Sequence, residues 1–290
     1  MSNFDANAIK TVDQSTVENE GPRFPTISYM SGDAKQKKGG GVAYEGGFFI
    51  AADNAPDDMT KYGWVKDSFM TTKSQEIEGY WAPEISVSVI NHRRRWLVNG
   101  EGFPWNKYEE AKKAAGASSP RGHQQFLVLV KGAEALGPFS LTLKGHAGMI
   151  FQGVKNYAKT GALSWLSRTV IAAANAKTKP SKWPFRAFWL TVAAQKDAKK
   201  QPVFTEVGVG ETSTIVLPVP VGLPEKAADV DLNQFYVGNE LLAVVNQLNI
   251  DSADWVAAWE TKSEEAGHRN GAVDANPEAV DADAAEEFGL

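Results

Sequence analysis

Two short stretches of this 290-residue chain hold the side chains best suited to chemistry with a polyanion. At 92–96 stands HRRRW, three consecutive cations between an imidazole and an indole. At 177–189 stands KTKPSKWPFRAFW, which interleaves Lys177, Lys179, Lys182 and Arg186 with Trp183, Phe185, Phe188 and Trp189. A groove for single-stranded nucleic acid needs both ingredients: cations meet phosphates, and flat rings stack on unpaired bases. Arg93, Arg94, Arg95, Lys177, Lys179, Lys182 and Arg186 are therefore the expected phosphate contacts. Trp96, Trp183 and Trp189 are the expected stacking platforms, at least one of them serving the core as well. Lys196, Lys199 and Lys200 follow on a short polar loop expected to close over a bound strand.

Other chemistries find less support. No GxxxxGK[ST] phosphate loop and no HExxH occur. His92, His123, His146 and His268 match no zinc spacing. The absence of cysteine excludes disulfides, thiolate metal sites and cysteine nucleophiles. Asp53, Asp57 and Asp58 are a metal-nuclease alternative, but DNAPDD is also an ordinary turn sequence and no second carboxylate cluster accompanies it. No catalytic residue, metal or cofactor is expected, and the chain reads as a binding protein rather than an enzyme.

Charge supports a polyanion partner despite a net charge of -5. Residues 1–91 carry 8 Lys+Arg against 13 Asp+Glu. Residues 92–204 carry 19 against 5, net +14, and residues 205–290 carry 3 against 17, net -14. Segregation this strong predicts a basic face with an acidic competitor in the same molecule.

The elements that must position these residues can be read in outline. Residues 1–21 are polar and read as disordered, with no signal-peptide core and no stretch long enough to span a membrane. A cytoplasmic location, in a bacterium or an infected host cell, follows as the expectation. The segment at 27–51 reads as strand, mobile basic loop, strand, and ISVSVINHRRRW reads as an alternating strand. A short helix is predicted at NKYEEAKKAAG, two strands at HQQFLVLV and FSLTLK, and helices between about 148 and 176. Phe185–Ala193 and Val203–Val209 predict a long β-hairpin. Helices follow at 238–247 and after Ser252, and 267–290 reads as a disordered acidic tail. The fold class expected is α+β or mainly β: an OB-like barrel over 22–266 with a helical insertion at 148–176 and a long hairpin.

The tail, DADAAEEFGL at 281–290, the basic aromatic body and the predicted hairpin together resemble phage- and plasmid-type single-stranded-DNA-binding proteins. That resemblance implies an OB-fold core that coats unwound DNA and an acidic tail that recruits replication or recombination proteins. It implies partner contacts at Glu286, Glu287, Phe288 and Leu290, although Gly289 and Leu290 extend past the tail's aromatic residue. The expected function is sequence-independent binding of single-stranded DNA in replication, recombination or repair, and a homo-oligomer is compatible with it. Two other readings are an RNA-binding protein using the same surface and a structural assembly protein of a virus or mobile element.

Overall fold

The computed structural model describes residues 23–35, 40–70, 75–116, 118–154, 157, 159–178, 182–207, 213–260 and 263–264. The strands are β1 (Thr26–Met30), β2 (Gly47–Ala51), β3 (Val65–Met70), β4 (Glu76–Ala82), β5 (Glu84–Val98), β6 (Glu101–Pro104), β7 (Arg121–Val130), β8 (Phe139–Lys144), β9 (Leu190–Ala194), β10 (Phe204–Val207), β11 (Ser213–Val216), β12 (Pro218–Val221) and β13 (Ser263–Glu264). The helices are α1 (Val42–Glu45), α2 (Tyr108–Ala115), α3 (His146–Gln152), α4 (Ala162–Leu166), α5 (Ala172–Lys177), α6 (Leu232–Phe235), α7 (Asn239–Asp251) and α8 (Ala253–Ala257). A π-helical turn, Ser167–Ile171, joins α4 to α5.

Nine strands run in the order β12-β9-β5-β7-β8-β1-β2-β4-β3, with β6 and β13 attached beside β5. All neighbours on this path are antiparallel except β1 and β8. The path is open: β12 and β3 end it and do not pair with each other. An OB-like barrel requires closure, so that expectation is corrected to a mixed α/β fold on a large open sheet. The resemblance to OB-fold single-stranded-DNA-binding proteins falls with it. The predicted hairpin is also corrected. β9 pairs with β5 and β12, while β10 pairs with β11 in a separate two-stranded ribbon. Among the described residues, the one bridge between these two segments joins Lys196 and Pro202, outside the expected spans.

Alternation along the central strands explains the layers. On β7, Phe126, Val128 and Val130 face the largest core, where Phe151, Leu163, Leu166 and Val170 meet them. Leu127 and Leu129 face the other way, onto Ile90, Trp189, Val245 and Trp255. The helical insertion thus covers one sheet face, and α7 with α8 covers the other. Its α3–α4 turn is tight, because Gly153 at φ 79° lies where a Cβ would meet Ser164 at 2.4 Å. Among the described residues no helix is long and apolar enough to cross a membrane.

β5 sets the position of the basic stretch. Its pairing with β7 runs Val89 to Val128 and then Asn91 to Leu127, leaving Ile90 as a bulge. Because strand side chains alternate, one extra residue reverses the facing of everything after it. Before the bulge the odd residues Ile85, Val87 and Val89 face the core under the helical insertion. After it, His92 takes that face, stacked on Phe126 at 5.2 Å. Arg93 and Arg95 are turned towards α8 instead.

Candidate nucleic-acid interface

The three arginines do not form one exposed cationic face. Arg93 donates Nε and Nη2 to Gln125 Oε1 at 2.9 and 2.7 Å and Nη1 to the Trp255 carbonyl at 2.7 Å. Its guanidinium lies 4.2 Å from the Trp255 ring and 4.3 Å from the Trp259 ring. Arg95 is 5% exposed and lies 4.3 Å from Trp259. It crosses β6 at Gly102, where any Cβ would meet Arg95 Nη1 at 2.7 Å. Arg94 points to the opposite face, half-buried, 4.8 Å from the Trp105 ring. Burial lowers its pKa, and no carboxylate partners it among the described residues.

The tryptophans separate just as clearly. Trp96 is 0% exposed, stacked on Trp105 at 4.1 Å and donating Nε1 to the Trp105 carbonyl at 2.9 Å. Trp189 is 8% exposed in the core beneath α7. Neither ring offers a face to a base, so both stacking expectations are corrected to core roles. Trp183 is half-buried, held through Nε1 to Thr178 Oγ1 at 2.6 Å and edge-on to Tyr236 at 5.8 Å. A Trp96→Ala variant should lose about 3–5 kcal/mol of stability. Trp183→Ala should instead reduce single-strand affinity by roughly 1–3 kcal/mol if its ring receives a base. Denaturant melts and oligonucleotide titrations on the two variants check this division.

The lysines fall into two places. Lys177 ends α5 and Lys182 precedes Trp183, both exposed, and Lys179 lies outside the described residues. Lys196, Lys199 and Lys200 lie at the opposite end of β9 from Arg186. Lys196 pairs with Glu45 at 2.6 Å. Asp197 Oδ1 accepts the Lys199 and Gln201 amides at 2.8 and 2.9 Å, which fixes the turn locally. It is a closed turn with two exposed lysines and stands apart from the cleft described next. Glu286, Glu287, Phe288 and Leu290, and the whole segment 1–21, lie outside the described residues.

A cleft of about 630 Å³ opens at the bulge of β5. Its floor is Val89, Ile90, Asn91, His92 and Phe126. One wall comes from Gln152, Val154 and the α4–π turn, with Leu163, Ser164, Ser167 and Arg168. The other is Pro184, Phe185 and Arg186, directly continuous with Lys182 and Trp183. Among the described residues no carboxylate lines it. Arg186 donates Nε to Asn246 Oδ1 at 2.6 Å, and burial lowers its pKa. Arg168 is exposed, 4.9 Å from the Trp165 ring, and donates to the Lys159 carbonyl. Neither arginine has a carboxylate partner among the described residues. Burial, reinforced by the charge of Arg94, lowers the His92 pKa to about 4. The imidazole is therefore neutral at pH 7.

Of the expected phosphate contacts, Arg186 lines this cleft. Lys177, Lys182 and Trp183 lie on the chain leading into it. Arg168 went unrecognised in the sequence, although it is the sole charged residue between Lys159 and Lys177. A lone cation in so apolar a helical segment is a usable signal. His92, Gln152 and Phe185 carried no distinguishing spacing.

Two carboxylates of the nuclease alternative have other roles. Asp57 pairs with Lys61 at 2.9 Å, and Asp58 caps the turn Met59–Tyr62 by accepting from Thr60 N at 3.2 Å. Among the described residues no group of three or more His, Asp or Glu side chains gathers to hold a metal ion. No known protein family matches the chain, nor does any curated protein or solved structure.

Proposed function

We propose that the protein binds single-stranded DNA, without catalysis and largely without regard to sequence, in replication, recombination or repair. The observation that carries this reading is the pair Arg168 and Arg186, two arginines without carboxylate partners at one aromatic-lined cleft that holds no acid. Exposed Lys177 and Lys182 and half-buried Trp183 extend the same chemistry along the chain. The net +14 of residues 92–204, the stretch that holds these residues, favours a polyanionic partner. The reading rests on this site and not on a barrel. In keeping with the cysteine-free chain, the protein acts in the cytoplasm of a bacterial or infected host cell.

Salt titration of a labelled dT oligomer is the direct test. Log affinity should fall linearly with log salt as counterions are released. Competition with a matched RNA oligomer separates DNA from RNA binding. Absence of salt-dependent binding to either would remove the proposal.

The acidic tail is the second part of the proposal. Residues 260–290 hold 9 acidic and 2 basic side chains, net -7. A tethered polyanion has a high effective concentration at a basic cleft on its own chain. It screens the cleft until a strand displaces it, which frees Glu286, Glu287, Phe288 and Leu290 for a replication or recombination protein. Truncation after Gly267 should raise single-strand affinity at low salt, and the two curves should converge as salt rises. Equal affinities at low salt would sink the screening role.

A further inference from the structure

We propose that the cleft is a discrete site for one nucleotide unit: its phosphate is held between Arg168 and Arg186, and its unstacked base lodges against Phe185 and Pro184 with a polar edge met by His92 and Gln152. This rests on the cleft being where the strand binds, but it is the stricter claim. A charged groove can hold a strand without a pocket for any single base.

The size of the cleft points this way. At about 630 Å³ it falls within the range of small-ligand pockets and far exceeds a bare phosphate. Its chemistry divides into two parts. Arg168 and Arg186 supply positive charge that no lining carboxylate neutralises. Phe185, 37% exposed, and Pro184 supply accessible aromatic and apolar surface, and Val89, Leu163 and Phe126 are buried apolar lining. A purely apolar ligand leaves the cations unanswered, and an inorganic anion leaves the rings unused. A phosphorylated aromatic heterocycle satisfies both.

Two polar atoms at the cleft point to the base edge. His92 and Gln152 line the cleft, and each carries an enclosed polar atom, Nε2 and Oε1, without a hydrogen-bond partner. Buried polar atoms in native proteins are nearly always paired, so both side chains gain a partner when a bound base draws them into the cleft. Neutral His92 meets a base edge by hydrogen bonding without adding charge to the phosphate end. The backbone is specialised at the same place. The β5 bulge supplies Ile90 to the floor, and the π turn supplies Ser167 and Arg168 to the wall. Both irregularities disrupt a regular ladder, and both recur beside functional sites.

The test is calorimetric titration of the full-length protein with dAMP, dCMP and dTMP, and with deoxyadenosine and inorganic pyrophosphate as part-ligands. Mononucleotides should bind saturably and be displaced by a dT oligomer, with each part-ligand at least about tenfold weaker. Arg186→Ala and Arg168→Gln should each weaken mononucleotide binding about tenfold, the loss of one charge-assisted hydrogen bond. Gln152→Leu should weaken mononucleotides and leave pyrophosphate unchanged. Should a wall variant fail to fold, Phe185→Ala at an exposed position carries the same expectation. Oligomer binding with no saturable mononucleotide binding overturns the nucleotide pocket and leaves the proposed function standing. Mononucleotide binding with no oligomer binding does the reverse. Pyrophosphate binding as tightly as a mononucleotide also overturns the pocket, reducing it to a phosphate site.

Discussion

Replacing Arg168 and Arg186 together by alanine should weaken binding to a dT oligomer at least about 100-fold at low salt. Each hydrogen bond from a charged donor contributes about 1.5–3 kcal/mol, and about 1.4 kcal/mol is a factor of ten. Two such bonds therefore reach about 3 kcal/mol at the lower end. The salt slope should fall as well, by about 0.7 for each phosphate of the single strand that the protein no longer neutralises. Folding should survive the change. Arg168 is exposed, and Arg186 is half-buried with one side-chain hydrogen bond, to Asn246. Arg93→Ala is the contrasting variant. Its guanidinium ties β5 to Gln125 on β7 and to the Trp255 carbonyl of α8, so its loss should lower the melting temperature. Its salt slope should stay at the parent value. If Arg93→Ala flattened the slope while the double variant bound normally, the cleft would not be the strand-binding site.

The reversal between these two groups of arginines shows what a sequence can and cannot convey. ISVSVINHRRRW reads correctly as an extended strand, because its alternation of apolar and small polar residues has period two. What the pattern does not carry is the bulge at Ile90, which depends on the register against β7. That single extra residue decides which arginines turn under α8 and which faces the other way. The helices were legible for the opposite reason. Those at 108–115, 146–177 and 239–251 are local structures set by short-range spacing. The expected hairpin failed because strand pairing is non-local. β9 and β10 each have the composition of a strand, yet β12 makes the better partner for β9. Tryptophan roles were legible only in part. Trp96 stands beside three cations in sequence, but it packs with Trp105 and Tyr108 into a separate small core. Barrel closure was the least legible feature, since it depends on whether two terminal strands meet.

Acidification from pH 7 to pH 4.5 should destabilise the protein markedly, through His92 and His123. His123 is buried with both ring nitrogens unpartnered. Burial holds its pKa well below the usual value, and Arg95, Lys144 and Arg93 add to the shift. His92 is lowered to about 4 by burial and by Arg94. Both imidazoles are neutral in the fold, while the unfolded chain takes up protons near pH 6.5. The unfolded state therefore binds more protons as pH falls, so stability is full above about pH 6.5 and declines below it. For His92 the decline levels off below about pH 4, after a loss on the order of 3 kcal/mol. His123 adds to the loss in the same direction. Against a typical total of about 5–15 kcal/mol this is a large fraction. Carboxylates act in a different window. Asp57 and Asp58 are held below the usual carboxylate range, chiefly by hydrogen bonds from Lys61 and Thr60 respectively, so their contribution is lost only below about pH 4. Chemical denaturation at half-unit steps between pH 7.5 and 4.5 separates the two. His92→Phe keeps a ring stacked on Phe126 and removes the titrating group, so its stability profile should be flatter than the parent's across that window. A parent profile already flat there would mean that neither imidazole is held neutral by its burial.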